Sequence, residues 1–309
     1  MSTDAVIEDK PRRSFLEAWY GLLLRTYPPG YRDAHGAELV GTLMEASAAG
    51  RRIPSLRETT GLAVAGFTAR ARRAADGPTR WWADGLHLGV LILAVVNLAY
   101  AFTGFTGAGD AWVGSRSGWI AGSVALVLLL LRGWVLAALP LALAAVFGVS
   151  RQLMFDVDAL DRLPFYAPVY SNWVSLTPYW MLAAGVVVLA AQRSLPLRTR
   201  SWWWVAVPIV ALVFARLGLA GYWGFSSVWT LARAGLEGGL LLAGVWATAV
   251  ARSPRWVLAA AVYLLPGMAV AGDRLSLQPR DPLDTIYWAV LAVLLSAMAV
   301  TAYRARAEA

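Results

Sequence analysis

Long apolar stretches alternate with short polar connections from residue 86 to residue 303, whereas the first 80 residues contain no apolar stretch of comparable length. A helix that crosses a hydrocarbon core of about 30 Å needs roughly 20 apolar residues. We therefore predict an N-terminal domain over residues 1–80 and a transmembrane helical domain over residues 81–309. The predicted spans are 86–105, 114–131, 133–149, 173–191, 202–221, 228–251, 256–272 and 286–303.

The second and third spans are separated only by Arg132 and Gly133, and the sequence from 118 to 149 is almost continuously apolar. A single helix of that length would extend about 48 Å at 1.5 Å per residue, well beyond the hydrocarbon. We therefore predict a tight hairpin at Arg132-Gly133. The fold class is then all-α, a polytopic membrane bundle of about eight transmembrane helices with a small N-terminal three-helix domain.

The arginines between the spans fall mainly on alternate connections, which predicts an orientation. If the N-terminal domain is inside, the acidic residues of the short connections fall mainly on the outside, and Glu308 is the only acid of the inner connections and tail. Cytoplasmic loops are enriched in basic residues, so both termini are expected to be cytoplasmic. The arginines of these inner segments are Arg132, Arg193, Arg198, Arg200, Arg252, Arg255, Arg304 and Arg306.

The composition agrees with a membrane protein and excludes several other classes. Hydrophobic residues make up 59% of the chain and charged residues 15%, against about 25% charged in soluble domains. Basic segments that lie beside anionic lipid explain the net charge of +8. We therefore expect the protein to interact with the lipid bilayer and not to bind nucleic acid. The absence of cysteine excludes disulfides and thiolate metal sites.

Residues 1–80 contain twelve basic and nine acidic residues and are predicted to fold into three helices. The segment Tyr27-Pro28-Pro29-Gly30 ends the first helix, and Gly50 ends the second. Ser55 and Glu58 predict a capping box at the start of the third. Apolar residues at helical spacing are Phe15, Trp19, Leu22 and Leu23 in the first helix, Val40, Leu43 and Met44 in the second, and Leu56, Ala63 and Phe67 in the third.

The run from Leu22 to Leu39, LLLRTYPPGYRDAHGAEL, resembles the opening of permease prefix domains, LLR-x-YP-x-x-(F/Y/W)R-x-x-(Y/H)G-x-E. Such domains precede the membrane part of some ABC-type export permeases and of many actinobacterial multi-span proteins. The resemblance covers roughly residues 15–75. It implies a bacterial plasma membrane location and an interaction module that docks a cytoplasmic ATPase or regulator through its second and third helices.

Ionisable residues within spans are costly, so they are the first candidates for function. Arg216 lies in the fifth span, and Arg233 and Glu237 lie four residues apart in the sixth, on one helix face. Two interpretations remain open: the three line a polar pocket, or they form a structural ion network. Gly235 and Gly239 have the spacing that lets a neighbouring helix approach closely.

Asp84 and His87 lie three residues apart at the inner end of the first span, close to Arg80. A proton relay is one interpretation, but an interfacial histidine is the favoured one. Arg70, Arg72 and Arg73 are predicted to contact anionic lipid or a protein partner.

Other candidates for chemistry are weak. Gly107-Ala108-Gly109-Asp110 matches the short GxGD string of intramembrane aspartyl proteases but falls in a predicted connection, and the aspartates of the connection 151–172 lack the pattern of a calcium loop. We find no phosphate-binding loop and no zinc-peptidase or serine-nucleophile motif. We therefore expect no catalytic residues, no cofactor and no metal.

These patterns lead to two expectations for function. The first is a non-catalytic integral membrane subunit of an ABC-type export assembly or of a membrane signalling assembly. The alternative is a stand-alone secondary transporter that uses Arg216, Arg233 and Glu237. Both expectations leave open whether the protein forms a homo-oligomer.

Overall fold

A computed structural model describes residues 15–47, 51–76, 80–105, 113–155, 172–192, 197–216, 227–277 and 282–307. Within these ranges the regular structure is helical, as the sequence predicts, with α-helices and short 3-10 turns. The chain separates into two compact units, Met1–Gly77 and Pro78–Ala309.

The N-terminal unit contains helices α1 (Phe15–Leu24), α2 (Pro29–Glu45) and α3 (Leu56–Ala75). Helix α1 packs against both of the others. The predicted capping box is confirmed, because the Glu58 amide donates to Ser55 Oγ at 3.2 Å and the Ser55 amide donates to the Glu58 carboxylate at 2.9 Å. Tyr20 also donates to Glu58 at 3.1 Å, which joins α1 to α3. The amide of Ser55, and then the Tyr20 hydroxyl, hold the pKa of Glu58 below its usual value.

The buried face of α1 is not the one formed by the apolar residues singled out in the sequence. Leu16, Tyr20 and Leu24 are buried, whereas the stripe formed by Phe15, Trp19 and Leu22 is exposed. Helix α1 is apolar on two faces, so its periodicity alone does not determine which face packs. The hydrogen bond from Tyr20 to Glu58 favours the face that contains Tyr20.

The second unit contains eight α-helices within the described residues. Five of its helical segments are long and apolar enough to cross a membrane: Trp81–Phe102, Val174–Ala191, Arg233–Ala251, Arg255–Asp273 and Thr285–Ala307. The eight helices are α4 (Trp81–Phe105), α5 (Val113–Leu131), α6 (Val135–Phe155), α7 (Thr177–Ala191), α8 (Ala206–Arg216), α9 (Ser227–Ala251), α10 (Arg255–Leu277) and α11 (Pro282–Ala307).

The hairpin predicted at Arg132-Gly133 is confirmed. Gly133 has φ of 74°, the left-handed conformation that glycine adopts without strain. Its amide donates to the carbonyl of Leu130 and the Trp134 amide donates to the carbonyl of Leu129. These two bonds form a Schellman motif, so α5 ends here with its last carbonyl groups satisfied and α6 begins at Val135.

Helix α4 lies at the centre of the second unit, in contact with α5, α7, α8 and α10. Its contact with α10 is close because two glycines, Gly85 and Gly89, face that helix. A Cβ atom on Gly85 would lie 2.5 Å from the carbonyl oxygen of Arg255, and one on Gly89 would lie 2.7 Å from Cβ of Val262. Small residues four apart thus allow the two backbones to touch, as in many membrane helix pairs.

Helices α9, α10 and α11 form a second packed group around Leu241, Leu264, Leu291 and Met298. The close helix approach expected at Gly235 and Gly239 is not observed. A Cβ atom on either glycine would meet no described atom within 4 Å, and both glycines are exposed. Spacing alone does not distinguish them from the packed pair Gly85 and Gly89.

Gly85→Ala should destabilise the protein, because its methyl group would collide with the backbone of α10. We expect the free energy of unfolding in detergent micelles to fall by about 1–3 kcal/mol. Gly239→Ala is the matched control and should leave stability unchanged or slightly raised, since the methyl group meets open space. Equal losses from both substitutions would contradict the close packing of α4 on α10.

Candidate functional site

One buried charge cluster lies where α4 and α10 begin. The Asp84 carboxylate accepts a hydrogen bond from Arg200 Nη2 at 2.5 Å and one from Arg255 Nη1 at 3.3 Å. The side chains of Asp84, Arg200 and Arg255 are only 6%, 11% and 5% exposed. We call these three residues, together with His87, the Asp84 cluster.

Three parts of the chain position these charges. Asp84 lies in the first turn of α4, and Arg255 is the first residue of α10. Arg200 precedes the 3-10 turn Trp202–Val205 that leads into α8, and its amide donates to the carbonyl of Leu131 at 2.8 Å. The ion pairs therefore connect α4, α10 and the segment before α8 at one end of the second unit.

His87 is fully buried one turn further along α4. Its Nε2 lies 2.9 Å from the carbonyl oxygen of Leu130. Because a carbonyl oxygen only accepts, Nε2 carries the proton and donates to it. Nδ1 is buried and has no hydrogen-bond partner among the described residues. The imidazole thus ties α4 to the end of α5.

The Asp84 cluster has an excess of positive charge, because two guanidinium groups share one carboxylate. Charges removed from water are stabilised only if they are paired and hydrogen-bonded. Arg200 Nε is buried and has no hydrogen-bond partner within the described ranges.

The sequence did not indicate the partners of Asp84. Arg80 is its neighbouring cation along the chain and His87 was expected at the interface, whereas the structure pairs Asp84 with Arg200 and Arg255 and buries His87 completely. A signal was present: inner segments rich in arginine contain almost no acid, and Asp84 is the carboxylate at the start of the first span. The separations of 116 and 171 residues hid the pairing from any local pattern.

A second cluster, which we call the Glu237 cluster, joins α9, α10 and α11. Arg233 and Glu237, which share one helix face, form an ion pair in which Arg233 Nε donates to the carboxylate at 2.7 Å. Tyr263 of α10 donates to the same carboxylate at 2.7 Å, and Tyr287 of α11 also donates to it. The Arg233 guanidinium lies over the rings of Tyr287 and Trp288.

The Glu237 cluster lies deep along α9. Glu237 is fourteen residues from the end of α9 at Ala251, which corresponds to about 21 Å along the helix axis. Its carboxylate accepts three hydrogen bonds from three different side chains, so its charge is well compensated. The arrangement can hold three helices together.

Several other candidate residues from the sequence lie outside the described part of the structure. Arg216 is the last residue of α8, and its side chain lies outside the described part of the structure. Residues 107–110 and the aspartates at 156, 158 and 161 also lie outside the described residues. Within the described ranges, no group of three or more potential metal ligands occurs.

The three arginines near the end of α3 are exposed. Two of them lie against other parts of the N-terminal unit. Arg70 donates to the carbonyl oxygens of Arg25 and Tyr27, which fastens α3 to the turn between α1 and α2. The guanidinium of Arg73 lies beside Gly30. Arg72 lies in the last turn of α3.

Comparisons of the chain with protein-family models, with curated proteins and with solved structures found no significant match.

Glu237→Gln should lower the free energy of unfolding in bicelles by about 2–3 kcal/mol, because it leaves the Arg233 charge without a counterion in a low-dielectric environment. Arg233→Gln combined with Glu237→Gln should recover part of the loss, since no net charge then remains. Tyr287→Phe should cost about 1 kcal/mol, the loss of one interhelical hydrogen bond.

Tyr303→Phe is the control for the tyrosine substitution, because Tyr303 lies on the same helix and is 75% exposed. It should leave stability unchanged. If Glu237→Gln were as stable as the parent protein, the cluster would not be holding α9, α10 and α11 together.

Proposed function

We propose that the protein is a non-catalytic membrane subunit of an export or signalling assembly, with the N-terminal unit as its interaction module. In this proposal the second unit is a bundle of eight spans in a bacterial plasma membrane, with both termini in the cytoplasm. The proposal combines the apolar helices, the arginine distribution and the resemblance to permease prefix domains.

The observation that carries this proposal is that two carboxylates of the second unit are each held by other side chains. Asp84 is held by two arginines, and Glu237 is held by one arginine and two tyrosines. A transport path needs ionisable groups that are free to exchange ions, protons or substrate. Carboxylates held in this way favour a scaffold, which anchors and positions a partner.

The N-terminal unit supplies a surface for such a partner. The exposed stripe on α1 consists of Phe15, Trp19 and Leu22, and α3 exposes Leu56, Val64 and Phe67. Aromatic side chains are enriched at protein interfaces, where they bury large area. The hydrogen bonds between Tyr20, Ser55 and Glu58 fix α1 and α3 relative to each other within this unit. The proposed contact surface therefore includes α1 as well as α3.

A secondary transporter is the second candidate, and one observation favours it: Arg233 and Glu237 lie within a candidate span. This hypothesis requires Glu237 to change protonation or ion occupancy during transport. It predicts that Glu237→Gln abolishes transport, whereas the scaffold proposal predicts that association with a partner survives this substitution.

The scaffold proposal is tested by purifying the tagged full-length protein from its native cells in mild detergent and identifying the proteins that accompany it. We expect a cytoplasmic ATPase or regulator. The double variant Trp19→Ser, Phe67→Ser should reduce its recovery at least tenfold, because both side chains are exposed and their loss should not affect folding.

Ile53→Ser is the matched control, since Ile53 is 59% exposed in the same unit but lies before α3. It should leave the recovery unchanged. Purification of the parent protein alone, or equal recovery from the double variant and the parent, would contradict the proposal.

A further inference from the structure

A groove opens on the surface of the second unit directly after Arg200. It is a shallow depression, largely open to the surroundings, that follows the 3-10 turn into the first turns of α8. Most of its wall is apolar, and the tryptophan at 203 is 82% exposed. The lining residues are Ser201, Trp202, Trp203, Val205, Ala206 and Ile209.

An arginine side chain lies beside the start of this groove. The guanidinium of Arg132 lies 5.1 Å from the centre of the ring of Trp202, which lines the groove. Arg200 adjoins Ser201 in the chain but is largely buried and bound to Asp84. The exposed Arg198 lies two residues before Arg200. Arg132 therefore supplies positive charge next to the groove.

Ser201 offers a hydrogen-bond donor at the same point. Its Oγ accepts a hydrogen bond from the Trp203 amide at 3.4 Å, which caps the 3-10 turn. The hydroxyl hydrogen remains available to an acceptor, and the side chain is exposed. The groove is thus polar at Ser201, next to the Trp202 ring that carries Arg132, and apolar at Val205 and Ile209.

We propose that this groove binds a phospholipid with an anionic headgroup, whose phosphate lies near Arg132 and Ser201 and whose acyl chain lies along Val205 and Ile209. Tryptophan and arginine together are typical of the headgroup level of a bilayer, and basic pockets between membrane helices bind anionic headgroups. The length of the apolar wall favours a lipid over free phosphate, which would leave it uncovered. The proposal requires the second unit to lie in a bilayer and does not depend on any protein partner.

The test is lipid retention by the purified full-length protein in neutral detergent, measured by native mass spectrometry. Dioleoyl phosphatidylglycerol is compared with dioleoyl phosphatidylcholine, with dihexanoyl phosphatidylglycerol and with inorganic phosphate. We expect selective retention of the long-chain anionic lipid. Arg132→Gln should weaken it about fivefold through loss of one phosphate contact. Ala206→Phe should abolish it by filling the groove.

Each variant has a matched control. Arg306 lies 4.6 Å from the centre of the Trp81 ring, the same kind of stacked pair as Arg132 on Trp202, so Arg306→Gln should keep the lipid. Ala243 is exposed on α9, so Ala243→Phe adds the same bulk away from the groove.

Three results would overturn the proposal. Equal weakening by Arg132→Gln and Arg306→Gln would mean that a diffuse basic surface holds the lipid. Equal retention of phosphatidylcholine would remove the role of the anionic headgroup. The third result is that inorganic phosphate or dihexanoyl phosphatidylglycerol is bound as strongly as the long-chain anionic lipid. The site would then bind a free anion, and the apolar part of the groove would have no role.

Discussion

The second unit depends on the ion pairs that Asp84 makes with Arg200 and Arg255. A charge that leaves water must be matched by an opposite charge at close range, so three separate parts of the chain are forced to meet at one point. Gly85, the next residue, lets α10 approach closely enough for this contact. Charge pairing and close backbone packing therefore act at the same position.

Helix α10 connects this cluster with the rest of the unit. It supplies Arg255 to the Asp84 cluster and Tyr263 to the Glu237 cluster, which also joins α9 and α11. The two clusters explain why α9 and α11, whose surfaces are mostly exposed, stay associated with the packed helices around α4. Both clusters hold helices together.

The sequence predicted the structural features that depend on interactions between nearby residues. The Schellman turn at Gly133, the capping box of Ser55 with Glu58 and the pair of Arg233 with Glu237 connect residues three to five apart. The sequence indicates all three through local spacing or through the predicted turn. The partners of Asp84 are more than a hundred residues away, and no spacing indicates them. Likewise, glycine spacing did not show that Gly85 packs while Gly239 is exposed, and α1 has two apolar faces of which only one is buried.

The most direct test of the central ion pair is a double-mutant cycle between Asp84 and Arg255, with unfolding in bicelles as the readout. Asp84→Asn leaves two buried guanidinium groups without their carboxylate, so it should be strongly destabilising. Arg255→Gln removes one of the two donors to Asp84 and leaves the bond from Arg200, so it should be destabilising to a smaller extent. The double variant should be less destabilised than the sum of the two, with a coupling energy of at least about 1.5 kcal/mol. Additive losses, with a coupling energy near zero, would contradict the account.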